Sequence, residues 1–484
     1  MDQRLGSIAA TTLSVRGRQH PLAPHLRLVT ALKARPAYDP GTWLAGSPPI
    51  LLQAPSRPPE TRKMTIRIAL ALAFLVTAAP AQSDCIDCHI KITPGIVRDW
   101  KLSHHNGKNN TRHEDIGCEM CHGVRHKSAD DVDRVLTVTV DTCGGCHKER
   151  AEQFKRGKHA FAWASLKAMP TTHWKPMELI DGMKGCGGCH KLGIKSEKEI
   201  LRIKKEGSGY GFASCDACHT RHTFSVKEAR EPEACATCHM GFDHPQWEMW
   251  STSKHGIRHA LKRQGVLSKD AAAPTCQTCH MPTGDHEVRT AWGFLGVRTE
   301  GLAPYPGESK EWWTDRVTIL QGLGVLDPNG KPTERLGVVQ GAQVARLTAK
   351  GFDKERSKMV QVCTGCHSSK FAKGELAKGD KMIQHIDRLM AQAIRIVAGL
   401  YKDGILKQPK SYAYPFPDLL TFHDSPTPIE NRLFTMHLKH RMRAFQGTFH
   451  ANPDYALWYG WSEMQQDLTE IKSMAAEMRK LAGK

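Results

Sequence analysis

The stretch that decides the fold is residues 215–239, Cys215-Asp-Ala-Cys218-His219-Thr-Arg-His222, then a short polar link, then Cys235-Ala-Thr-Cys238-His239. The pattern Cys-x-x-Cys-His occurs twice in it. Two thiols three positions apart can each add to one vinyl group of a heme, and the histidine that follows then lies under the iron as its proximal ligand.

Working outward, the same pattern appears as Cys85/Cys88/His89, Cys118/Cys121/His122, Cys143/Cys146/His147 and Cys186/Cys189/His190 before this stretch. Cys276/Cys279/His280 and Cys363/Cys366/His367 follow it. All sixteen cysteines are used, and none is left for a disulfide or a free thiol. The competing readings are a redox dithiol and half a zinc site. Neither needs the histidine, and a zinc site needs a second Cys or His pair at set spacing. Eight repetitions of the full pattern set them aside, so the expected cofactor is eight covalently bound heme c.

Upstream of the first motif, Met64-Thr-Ile-Arg67 is followed by the apolar run Ile68 to Val76 and by Ala79-Pro80-Ala81. A basic start, a short apolar core and an A-x-A site make a secretory signal peptide, with cleavage expected after Ala81. The alternative, a membrane anchor, meets an apolar run shorter than a comfortable span. Residues 1–63 hold nine of the 27 prolines with no periodicity, and Met64 reads as the better start. The expected location is the periplasm.

The formal charge of +19 suggests nucleic acid at first sight. Residues 1–63 carry nine Lys/Arg against three Asp/Glu and Arg67 adds one more, so residues 82–484 stand at +12. Heme propionates then need much of that charge, and no nucleic-acid role is expected. A lysine-rich docking face for an acidic redox partner is a secondary reading.

The mature chain divides by motif density. Residues 82–280 hold seven motifs and 281–370 the eighth, with 82 residues between His280 and Cys363. Structureless loops are normally suspect inside a domain, but hemes can supply the interior. The pattern predicts a mainly α, heme-packed, loop-rich N-terminal region with each motif at the start of a helix. Residues 371–484 carry three apolar stripes at helical spacing: Ile383, Ile386, Met390, Ile394 and Val397; Phe434, Leu438, Met442 and Phe445; Met464, Leu468, Ile471, Ala475 and Met478. Proline-rich turns separate the first two stripes. A C-terminal bundle of three long helices is expected, either within the chain or joining subunits.

A heme used only for electron transfer commonly takes two axial protein ligands. Sixteen histidines remain once the eight proximal ones, His20 and His25 are removed, enough for eight distal ligands. The distal candidates are His104 (with its neighbour His105), His126, His159, His222, His244 and His255. His113 is a weaker one, as are His173, His259 and His385. A distal histidine close to one motif usually serves another heme, because the local chain cannot reach both faces of its own.

The eight motifs, the wide interval before the last and the helical tail resemble the octaheme hydroxylamine oxidoreductase family. So do His280-Met-Pro-Thr-Gly-Asp-His-Glu-Val288 and His450-Ala-Asn-Pro-Asp-Tyr-Ala-Leu-Trp-Tyr-Gly460. The resemblance covers essentially all of 82–484. It implies that the fourth heme, held by Cys186, Cys189 and His190, is catalytic and open on its distal side. It implies an Asp-His pair over that iron, matched here by Asp285-His286, with His286 taking protons and Asp285 orienting it. It implies a tyrosine donated by a neighbouring subunit, Tyr455 first and Tyr459 second, and a homotrimer. The activity implied is oxidation of hydroxylamine to nitric oxide or nitrite with a cytochrome c acceptor. Reduction of nitrite or hydroxylamine, hydrazine oxidation and a pure electron conduit are the alternatives. The pentaheme nitrite reductases replace one motif histidine by lysine, and no Cys-x-x-Cys-Lys occurs here.

Overall fold

In the computed structural model, Ser369–Lys402 is one helix of 34 residues, and the sequence explains it. Ser368 caps its start by accepting a hydrogen bond from the amide of Phe371. Ile383, Ile386, Met390, Ile394, Val397 and Leu400 recur at three- and four-residue spacing, and each is fully buried. Gly404, at φ 71°, ends it in the left-handed region open to glycine.

The structure describes residues 82–167, 187–205, 214–300, 308–408, 412–421 and 425–484. All belong to a single unit of the chain. The leader, the signal peptide, Cys186 and His173 lie outside the described residues.

Taking Lys310–Gly322 as α1, Ala349–Thr364 as α2 and Ser369–Lys402 as α3, the C-terminal core forms around α3. A rod over 428–449 joins Pro428–Thr435, a π-helical stretch Met436–Arg441 and Met442–Phe449. A second rod over 453–481 joins Pro453–Ala456, a π-helical stretch Leu457–Ser462 and Glu463–Leu481. The two rods meet at glycines. A Cβ on Gly460 would come within 2.5 Å of the Ala444 backbone, and one on Gly447 within 2.7 Å of the Ala456 amide.

The first and third predicted stripes face this core, as do Met442 and Phe445 of the second, while Phe434 and Leu438 are buried outside it and Phe434 stacks on Phe242. The bundle has a fourth member, however: α1 packs along α3 and buries Ile319 and Leu320 there. Its sequence alone places it in the connecting region.

One buried charge cluster ties the bundle to the chain before it. Arg441 donates to Asp387 (Nη2–Oδ1 2.7 Å) and to the Leu295 carbonyl (2.6 Å), and both charged side chains are fully buried. Trp312 Nε1 reaches the other Asp387 oxygen at 3.0 Å. The Arg316 guanidinium lies over the rings of Trp292 and Trp312.

Residues 82–290 are different. Their helices are short, and their buried apolar clusters are small: Val140, Ala151, Phe154, Ala160 and Leu192 in one, Trp163, Leu166 and Ile203 in the other. Side chains alone build little core there. Among the described residues there is no β-strand, only two isolated bridges, and no helix long and apolar enough to cross a membrane.

Removing one partner of a buried pair leaves the other charge uncompensated. Asp387→Ala is expected to cost about 3–5 kcal/mol in chemical unfolding of the holoprotein followed by far-UV circular dichroism. Adding Arg441→Met should recover part of that loss. A cost near zero for the single variant would make the cluster incidental.

Candidate heme sites

Each motif is a single helical turn. The amide of His147 bonds back to the Cys143 carbonyl at 2.9 Å, His239 to Cys235 at 2.9 Å and His367 to Cys363 at 2.9 Å. Positions i, i+3 and i+4 of such a turn share one face, which puts both thiols and the imidazole on the same side. One turn suffices, so the expectation that motifs start helices is corrected. Cys276–His280 is an isolated turn capped by Thr275, and Cys363 lies in the last turn of α2.

The turns open onto one continuous cavity of about 3410 Å³, lined by cysteines or histidines of all eight motifs. Ordinary ligand pockets hold about 300–1,000 Å³. Cys88 is exposed and does not line the cavity, although Cys85 and His89 of the same motif do. The reason is position: motif one lies in the helix Gln82–Ile92, most of which faces solvent. A thioether from Cys88 would hold the outer edge of its porphyrin, at the rim. Cys366, in the last motif, is likewise exposed and outside the lining.

Across this space the histidines come in opposed pairs. His89 faces His126 at 6.1 Å between ring centroids, His122 faces His222 at 6.1 Å and His147 faces His105 at 6.3 Å. His219 faces His286 at 6.2 Å and His239 faces His159 at 6.0 Å. His280 faces His450 at 6.3 Å and His367 faces His255 at 6.2 Å. Two metal–imidazole bonds of about 2 Å each, plus the two ring radii, leave centroids roughly 6 Å apart. The pairs therefore fit iron held between two imidazoles, with the lining cysteines in place to anchor the porphyrin. Burial favours the neutral imidazole that binds metal: it presses His159 and His239 down to about 4 and His280 to about 3.

Of the predicted distal ligands, His126, His159, His222 and His255 stand opposite a motif histidine. His104 and His113 do not. The His104 ring bonds the Asn109 carbonyl at 2.7 Å, and its neighbour His105 takes the place facing His147. His244 lies 6.1 Å from His239, but its Nδ1 meets Asp243 and its Nε2 meets the Cys238 carbonyl at 2.9 Å. Neither nitrogen is left for iron. His450 carries no local mark of a ligand; its sequence stands out only as the start of a stretch that resembles the family.

His190 is the exception. Among the described residues no imidazole stands opposite it. Its Nδ1 is held by the Ala162 carbonyl at 2.7 Å and Ser165 Oγ at 3.0 Å, which fixes the ring and leaves Nε2 for iron. Asp243 and His244 line the same cavity and are among the charges acting on His190. Burial lowers the His244 pKa, but the Asp243 bond and charge and the Cys238 carbonyl outweigh it, and the net shift is upward. Asp285-His286, the expected pair, is elsewhere: Asp285 is bound by Lys358 at 2.7 Å and His286 faces His219. The chain contains two Asp-His dipeptides here, and sequence alone does not say which one reaches His190. The rings of Tyr455 and Tyr459 lie 5.0 Å apart and tilted by 41° on the last rod, and neither residue lines the cavity.

The family described as "Seven times multi-haem cytochrome CxxCH" matches residues 114–306 and 337–413. The chain belongs to this multiheme cytochrome family. A second family, "Cytochrome c554 and c-prime", matches residues 62–123. A curated relative, a "Probable nitrite reductase-hydroxylamine oxidoreductase fusion protein" of Kuenenia stuttgartiensis, is 26% identical over 88% of this chain and 54% of its own. The cytochrome thus spans about half the length of that relative. A solved structure described as a Kuenenia stuttgartiensis reducing HAO-like protein complex shares its fold, with TM-score 0.55 and 24% identity over 83% of this chain and 86% of that one. A hypothetical multiheme protein does so too, with TM-score 0.59 and 21% identity over 85% and 98%.

Contacts between cysteines of different motifs order the sites in this cytochrome. Cys118 neighbours Cys85, and Cys121 neighbours Cys143 and Cys146. Cys143 lies beside Cys215, Cys218 neighbours Cys235 and Cys238, and Cys235 lies beside Cys276. Cys279 neighbours Cys363 and Cys366. The string runs through motifs one, two, three, five, six, seven and eight, and Cys189 of the fourth lies beside Cys238 of the sixth.

His222→Ala removes the imidazole opposite His122. The reduced variant is expected to bind one more equivalent of carbon monoxide than the wild-type cytochrome, read from difference spectra. Unchanged binding would detach His222 from the iron.

Proposed function

We propose that this cytochrome carries eight heme c groups and is a periplasmic oxidoreductase of small nitrogen compounds, with its reaction site at the His190 motif. The observation that carries the proposal is the single motif histidine with no imidazole opposite it among the described residues and an Asp-His pair beside it. The heme bound there supplies an iron with one face free for a small nitrogen ligand and a sink for its electrons. The leading substrate is hydroxylamine. Its oxidation to nitric oxide releases three electrons and three protons, and further oxidation with water gives nitrite.

The chain's own residues handle the protons. His244 sits between the Asp243 carboxylate and the Cys238 carbonyl, so its ring is fixed and its charge is stabilised. A positioned histidine of this kind contributes about 10²- to 10⁴-fold to a proton-transfer step. The paired histidines of the other seven motifs hold sites closed to substrate and suited to electron transfer. A cytochrome c is the proposed acceptor. A homotrimer agrees with the exposed Leu457, Trp458 and Tyr459 on the last rod.

A second reading runs the reaction in reverse, toward reduction of nitrite or hydroxylamine. One similar structure is described as a reducing complex, and the curated relative's name includes a nitrite reductase.

Steady-state oxidation of hydroxylamine and hydrazine with a cytochrome c acceptor, beside nitrite reduction with a strong donor, separates the readings. A much higher nitrite-reducing rate would overturn the oxidative direction. His244→Ala should lower kcat by about 10²-fold or more with the heme spectrum retained, while Asp285→Asn stays within a few-fold of wild type. Equal losses in both variants would return the catalytic pair to Asp285-His286.

A further inference from the structure

In the ordering of thiols, the string of motifs begins at motif one and finishes at motif eight. Each of these two ends has an exposed cysteine, Cys88 in one and Cys366 in the other, where electrons can cross the surface. The two ends differ in charge. Around motif one, Asp84, Asp87 and Asp99 are interspersed with Lys91, Arg98 and Lys101, so the signs largely cancel. Arg98 is itself paired with Asp99.

Motif eight is followed directly by the start of α3. The face of α3 opposite Ala372, Gly379, Ile383 and Ile386 carries Lys370, Lys373, Lys378, Lys381 and Arg388, all exposed. Lys370 to Lys381 spans roughly 16 Å at 1.5 Å per residue. Only Lys378 has an acidic partner, Glu375. Lys370, Lys373, Lys381 and Arg388 have no ion-pair partner among the described residues. Asp380 does not offset them, because Arg356 and Trp292 hold it on the inner side. At the rim stands Phe371, 49% exposed, its ring stacked 4.9 Å from that of His367.

A charge run on a long helix is ordinarily a solvated face. This one has a single sign and begins beside the proximal histidine of a terminal motif, with an exposed aromatic between that histidine and solvent. We propose that the α3 face at motif eight is the docking surface for a small acidic electron-carrier protein. The lysines and Arg388 steer its approach, since opposite charge raises association rates by about 10- to 10³-fold and salt screens the effect. Phe371 provides the apolar contact at the centre. Exchange then runs through His367. The proposal goes beyond the substrate assignment, because it needs only the string of motifs and not the identity of the nitrogen compound.

The test uses the holoprotein and reduced flavodoxin as an acidic protein probe, with hexaammineruthenium(II) as a cationic one. Stopped-flow absorbance follows heme reduction. The variant is Lys370→Glu, Lys373→Glu and Lys381→Glu together. Acidic residues are favourable in the first turns of a helix, so α3 should persist. At low ionic strength the flavodoxin rate is expected to fall on the order of tenfold and to lose its decline with added salt, while the ruthenium rate does not fall. The same positions changed to Gln should move the rate in the same direction by less. An unchanged flavodoxin rate overturns the proposal. So does an equal fall in a Lys91→Glu, Lys101→Glu variant at the motif-one end. Loss of hydroxylamine oxidation with these exchange rates intact would instead count against the substrate assignment alone.

Discussion

Two imidazoles facing each other about 6 Å apart, repeated seven times, are the constraint on which the rest of this molecule depends. Each pair joins a histidine fixed in a one-turn motif to a second brought from elsewhere in the chain. Where the pairs are dense, the protein forgoes an ordinary core, and short helices and loops serve as scaffolding around a shared interior. Where they end, a helical bundle with a continuous apolar core takes over. Asp387, Arg441 and Trp312 join the two regimes by binding the backbone that leaves the heme region.

Among the described residues His190 alone of the motif histidines has no opposed imidazole. The proposed function places substrate there and gives the seven opposed pairs to electron transfer. In the ordering of thiols Cys189 lies beside Cys238 of the sixth motif. On the proposed function, a proton-handling pair at that site and electron-handling pairs along the string separate two tasks that one iron would otherwise combine.

The local parts of this design were legible in the sequence. The Cys-x-x-Cys-His motifs and the three apolar stripes of the tail are short-range patterns, and the stripes fall on helices and are buried as their spacing implied. What was not legible depends on distance or on duplication. The eight motifs read alike, yet only the fold shows that Cys88 of the first stands at the surface while Cys85 faces inward. His450 faces His280 across a long stretch of chain, and His105 rather than adjacent His104 turns inward; neither choice has a local signal. Asp-His occurs twice, at 243–244 and 285–286, and only the fold shows which dipeptide neighbours His190. Helix α1 escaped as a bundle member because it buries Asp315, Arg316 and Thr318 as well as Ile319 and Leu320, which hides any apolar stripe.

The reach of the His280–His450 pair has a consequence for how the molecule is made. Motif seven lies well ahead of its partner in the order of synthesis, and the partner sits near the end of the rod 428–449. A chain emerging from its amino end can receive cofactor at each cysteine pair as it appears, since thioether bonds need only the local turn. The ligand set of the seventh site cannot close until almost the whole polypeptide has been delivered. Until then that site lacks its opposed imidazole, so a chain stopped short of residue 450 would leave both His190 and His280 without one among the described residues.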